Sequence, residues 1–170
     1  MIRSNAIRGL LLCCAVLVAA SQSAVSSVEK TEDDGKFSTK DGDPTYNITK
    51  DGGVDWYTYS GFRRYHSDCH VCHGPEGLGS SYAPALVDSL KKLSYEDFAT
   101  VVASGRQKVN AAQTSVMPAF GTNRNVMCYL DDIYAYLKAR SDGALGRGRP
   151  RKHAPQPKSA KNYENECMGQ

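Results

Sequence analysis

Cys69, Cys72 and His73, in the run Cys69-His70-Val71-Cys72-His73, are the residues whose types and spacing can do chemistry. On one helical turn two thiols come to lie under the two vinyl groups of a haem, where each forms a thioether, and the adjacent imidazole then points at the iron. By position the proximal ligand is His73 and not His70. A Cys-x-x-Cys pair has two other uses. Dithiol oxidoreductases place it at a helix start, where the thiol pKa is lowered, but they embed it in a βαβ pattern that is missing here. Zinc would need Cys69 and Cys72 joined by Cys128 and Cys167; structural zinc sites draw on two closely spaced pairs, and the second pair here is far apart. The motif reads as covalent haem attachment.

Haem iron in an electron carrier commonly takes a second axial ligand, and Met does so with a preference for the ferrous state. Met117, in Val116-Met117-Pro118-Ala119-Phe120-Gly121, is the candidate, because Met1 is the initiator, Met168 lies in the tail and Met127 falls on the last long helix. Pro118 restricts the backbone beside it. The plain alternative for Met117 is a gap-filler in the core. A proximal His gives its other ring proton to a carbonyl, and Pro84, in Tyr82-Ala83-Pro84-Ala85-Leu86, is the candidate acceptor, unless it is simply a turn residue. Arg106, following Gly105, can meet a haem propionate as a charge-assisted donor or stand as an ordinary surface arginine. An occupied Met position argues against a haem enzyme or gas sensor, which need an open distal site.

These residues need elements to position them. Trp56, Tyr57, Tyr59, Phe62 and Tyr65 cluster before Cys69 and predict a helix leading into the motif. Ser94 followed by Glu96 and Asp97 resembles a capping box, and the helix it opens should stop near Gly105. Val126, Leu130, Ile133 and Leu137 recur at helical spacing, which predicts a helix from about Asn125 to Arg140 with Gly143 as its stop. Cys128 falls almost opposite that stripe and should point outward. No segment alternates convincingly as a strand, so the expected fold is all-α, helices with long loops.

The chain's 170 residues suit one domain, and 41% hydrophobic with 23% charged residues excludes collagen-like, coiled-coil and wholly disordered classes. A net charge of +3 does not point to nucleic acid. Arg3 and Arg8 precede an apolar run from Leu10 to Ala20 and small residues to Ala24, the pattern of a secretory signal over 1–24 that is too short to anchor in a bilayer. Export to the periplasm is the expectation. Residues 25–53 read as a polar N-terminal arm, 54–143 as the haem-carrying domain, and 144–170 as a basic C-terminal tail without an apolar face. With Cys69 and Cys72 given to haem, Cys128 and Cys167 remain in an oxidising compartment, so a disulfide between them should pin that tail.

The chain resembles the class I c-type cytochromes, and among them the periplasmic cytochromes that accept electrons from quinoprotein methanol dehydrogenases, the lanthanide-dependent enzyme included. The segments that carry the resemblance are Gly61-Phe62-Arg63-Arg64-Tyr65-His66 before the Cys-His-Val-Cys-His motif, Ser80 to Leu86, Val116 to Gly121, Asn125 to Tyr129, Asp131 to Tyr134, and Ala144 to Pro150 through to Cys167. The resemblance implies one haem c with His/Met ligation in a helical fold. It also implies a one-electron carrier between a pyrroloquinoline-quinone dehydrogenase and a downstream cytochrome c or terminal oxidase; a monomer is expected, and the small net charge and the lack of a second long apolar segment point away from nucleic-acid binding and stable membrane insertion. A generic periplasmic cytochrome c is the alternative. The chain departs from the commonest small class I pattern between Arg106 and Met117, where Gln107 to Val116 makes an unusually long loop.

Overall fold

A computed structural model describes residues 29–110 and 113–169; the expected signal segment, 1–24, lies outside them. The helices are α1 (Trp56–Asp68), α2 (His70–His73), α3 (Leu86–Ser89), α4 (Tyr95–Ser104), α5 (Arg124–Met127), α6 (Leu130–Ser141) and α7 (Lys158–Met168). Five strands join them: β1 (Lys30–Asp33), β2 (Lys36–Thr39), β3 (Pro44–Thr45), β4 (Arg106–Asn110) and β5 (Gln113–Met117). The fold is mostly helical but not all-α, which corrects the expectation from sequence.

The core forms where α1 crosses α6. Asp55 starts α1 by accepting hydrogen bonds from Thr58 N (2.7 Å) and Thr58 Oγ1 (2.6 Å), and it also accepts one from Asn47 N (2.7 Å). Tyr65 on α1 and Tyr136 and Leu137 on α6 are fully buried at the crossing. The two backbones approach so closely at Gly61 that a Cβ there would stand 1.8 Å from the Asp132 carbonyl oxygen, so only glycine fits.

Two sheets replace predicted loops. The supposed polar arm folds as an antiparallel sheet in the order β1-β2-β3, with Phe37 opposite both Glu32 and Thr45. It carries almost no hydrophobic alternation because its outer strand is exposed, and only Pro44 and Thr45 in β3 are buried. The long loop before Met117 is the β4–β5 hairpin, in register from Arg106↔Met117 to Asn110↔Gln113.

The predicted 125–140 helix is two helices, α5 and α6, broken at Cys128 and Tyr129. Continuous apolar spacing cannot reveal one irregular turn. Cys128 does lie away from the α6 core stripe, yet it is only 5% exposed, because α7 covers it. The tail is therefore not structureless: it ends in α7, which is tied by the Cys128–Cys167 disulfide and by Glu164, which pairs with Arg64 (2.9 Å).

Candidate haem site

α1 ends at Cys69, which is both its last cap and the residue that opens the single-turn α2. Cys72 N and His73 N both donate to the Cys69 carbonyl, at 3.2 and 3.0 Å, so the two thiols sit one turn apart on the same short helix. Both cysteines are free; Cys69 is half-buried and Cys72 exposed. Burial pushes the Cys69 thiol up to about 12, opposite to the lowered pKa on which a dithiol oxidoreductase depends. Zinc is excluded on the four-cysteine set, because Cys128 and Cys167 are bonded to each other.

His73 is buried, and its Nδ1 lies 2.9 Å from the Pro84 carbonyl oxygen. A carbonyl only accepts, so Nδ1 carries the proton and Nε2 is left with its lone pair for a metal. The segment bearing Pro84 is kept close by Gly79, where a Cβ would come within 2.8 Å of Ala85 N and 3.2 Å of the Pro84 carbonyl carbon.

Met117 ends β5, is half-buried and packs against the hydrophobic core, as does Cys69. The chain after it is stitched to α4: Phe120 N donates to Val102 O and Gly121 N to Ala103 O, each at 3.0 Å. Gly105 has φ 72° and lies under Met117, where a Cβ would stand 2.6 Å from the Met117 carbonyl oxygen. Arg106 is exposed in β4 and pairs directly with Met117 across the hairpin. Thus the structure brings His73 to Pro84, Arg106 to Met117 and Cys128 to Cys167.

The donor set suits haem c: two free thiols one turn apart, and an imidazole with its tautomer fixed. Val71, Tyr82 and Val116, on the segments that carry the motif, Pro84 and Met117, are large apolar side chains 76%, 77% and 60% exposed, as expected around a porphyrin rim. Sequence reasoning gave Tyr65, Arg147 and Gly148 no contact at the site and did not single out Glu76. Tyr65 O–H donates to Gly74 O (2.6 Å) and accepts from Gly77 N (2.9 Å). Glu76 accepts from Arg147 Nε (2.7 Å) and Gly148 N (2.8 Å). Contacts 71 and 72 residues apart in the chain leave no local signal.

Residues 58–137 match the family described as cytochrome C oxidase, cbb3-type, subunit III. Cytochrome c-553I of Paracoccus denitrificans is 54% identical over 136 residues, 80% of this chain and 60% of that protein, so the match spans less than two thirds of that relative's length. Cytochrome c-555 of Methylococcus capsulatus is 43% identical over 96 residues, 56% of this chain and 72% of the relative. The crystal structure of c-type cytochrome XoxG from Methylobacterium extorquens AM1 superposes with a TM-score of 0.75 at 59% identity, over 81% of this chain and 84% of that one. The cofactor is covalently attached haem c, and Cys69 and Cys72 fit its attachment. With that attachment turn, and with these relatives matched over most of their length, the chain belongs to the class I c-type cytochromes.

Proposed function

We propose that the protein is an exported one-electron carrier that takes electrons from a quinoprotein methanol dehydrogenase and hands them to a downstream cytochrome c or terminal oxidase. Haem c supplies the ferric/ferrous couple. The observation that carries the reading is the His73–Pro84 hydrogen bond, which holds a buried imidazole in the tautomer that leaves Nε2 free for iron. Cys69 and Cys72 would anchor the group through thioethers, and His73 Nε2 and Met117 Sδ would supply the iron's protein ligands. A thioether ligand would favour ferrous iron, and a second protein ligand would leave no open position for a substrate. Arg106, in register with Met117, would supply a cation for a propionate.

The tie to methanol oxidation is supported by the resemblance of the segments from Gly61 to Cys167 to the methanol-dehydrogenase cytochromes, and by the XoxG likeness. Among the described residues no helix is long and apolar enough to cross a membrane, and the N-terminal segment has the residues of an export signal. The test mixes oxidised holo-protein with purified lanthanide-dependent or calcium-dependent methanol dehydrogenase and methanol, following the haem α-band. Rapid methanol-dependent reduction by one enzyme establishes the donor. No reduction by either, in protein that dithionite still reduces, leaves a cytochrome unconnected to methanol oxidation.

A further inference from the structure

Glu76 is the third residue after His73 and has φ 59°, a left-handed backbone that costs free energy for any residue but glycine. Such a conformation persists when surrounding contacts enforce it, and here they are specific. The Glu76 side chain is nearly buried and accepts from Arg147 Nε (2.7 Å) and from Gly148 N (2.8 Å), both in the strap between α6 and α7. On the inner side of the same turn, Tyr65 Oη bridges Gly74 O and Gly77 N. The turn closes on His73 through Gly79 N, which donates to His73 O at 2.8 Å, and on Cys72 through Ser80 Oγ, which donates to Cys72 O at 2.5 Å. Gly79 in turn abuts the segment whose Pro84 carbonyl receives the His73 proton.

We infer that Glu76 is a positioning residue for the haem: clamped between Tyr65 and the C-terminal strap, the turn Gly74–Gly79 sets the distance between His73 Nδ1 and Pro84 O. The strap is thereby part of the proximal side of the site. The strength of that hydrogen bond governs how much electron density the imidazole gives the iron. Loosening the clamp should weaken the bond, make His73 a poorer donor and raise the reduction potential.

The inference rests on haem attachment at Cys69 and Cys72 and not on the identity of the electron donor, and pyridine-haemochrome analysis of each holo-variant checks that attachment separately. Glu76→Gly removes the carboxylate while easing the backbone, so the variant can fold; Arg147→Ala, at a side chain 72% exposed, removes one strand of the clamp without touching the turn. Two readouts are taken on the holo-proteins: amide exchange at Gly77 and Gly79, and the reduction potential by spectroelectrochemistry. Expected are at least tenfold faster exchange at both amides and a higher potential in both variants, larger for Glu76→Gly, with the Met-to-iron absorption band kept. Unchanged exchange overturns the inference. So does faster exchange at an unchanged potential, which would make the strap a purely structural tie.

Discussion

Arg106 and Met117 face each other as the first cross-strand pair of the β4–β5 hairpin. The candidate iron-ligating sulfur and a candidate propionate cation, with ten residues of chain between them, are thus held by one short ladder, and Gly105 packs beneath the Met117 carbonyl. The insertion that separates them in sequence closes on itself and brings them into register.

Met117→Ala should therefore open the distal side without unfolding the domain, since β5 and its ladder hydrogen bonds remain. Expected are loss of the Met-to-iron band, a high-spin ferric spectrum, carbon monoxide binding to the ferrous protein and a lower reduction potential. A low-spin spectrum that does not bind carbon monoxide would show that another side chain is the ligand.

The contrast between Met117 and its hairpin shows what the sequence could reveal. The attachment motif was legible because its chemistry demands fixed types at fixed spacing, and α4 was legible because Ser94 accepts from Asp97 N at 3.0 Å and Gly105 ends it, both local events. The hairpin was not: the sequence between Asn110 and Gln113 is Ala-Ala, without the Gly that marks a tight turn, and Arg106 to Asn110 has one apolar residue in five. α7 has no side-chain cap and buries only Ala160, so no local signal marks it; its disulfide was legible from the cysteine count, but the Glu164–Arg64 pair, 100 residues apart in the chain, was not.

Cys167→Ser should destabilise the holo-protein by about 3–4 kcal/mol, the chain-entropy value for a closed loop of this size. Denaturant titration checks the figure. Because the disulfide joins Cys128 to Cys167 and takes in none of His73, Pro84 and Met117, the visible spectrum of the folded variant should match that of the parent.

Gly61→Ala tests the α1–α6 crossing. Its Cβ would fall 1.8 Å from a backbone oxygen, which no side-chain rotation relieves, so the helices must separate. The expected loss is on the order of 3 kcal/mol or more, at the upper end of overpacking costs, read from the midpoint of denaturant unfolding. A loss below roughly 1 kcal/mol would mean that the crossing is looser than described.

Burial pushes Asp132 up to about 7 from an ordinary value of 3.8; Asp131 and Asp55 add to the rise, while the Ser60 hydrogen bond and Lys36 oppose it. An acid whose native pKa exceeds its unfolded one binds more protons when folded. Its contribution is present at pH below 3.8, falls as pH rises from there, and is lost above about 7. The holo-protein should accordingly lose stability between pH 4 and 7 by at most about 1.4 kcal/mol per pH unit from this group. Asp132→Asn should flatten that slope in denaturant titrations run across the range.

The strap from Ala144 to Pro157 is a peptide held at both ends and, midway, by backbone hydrogen bonds from Val54 N to Lys152 O (3.1 Å) and from Ala154 N to Val54 O (2.9 Å). Arg147 and Gly148 are fixed to Glu76 at one end, Cys167 to Cys128 at the other, and Arg149, Arg151 and Lys152 are exposed between them. A trypsin-like protease that clips after Arg151 or Lys152 would release nothing, because the severed C-terminal peptide stays covalently joined through sulfur. On a non-reducing gel the nicked cytochrome keeps its full mass, and only a reductant separates the pieces.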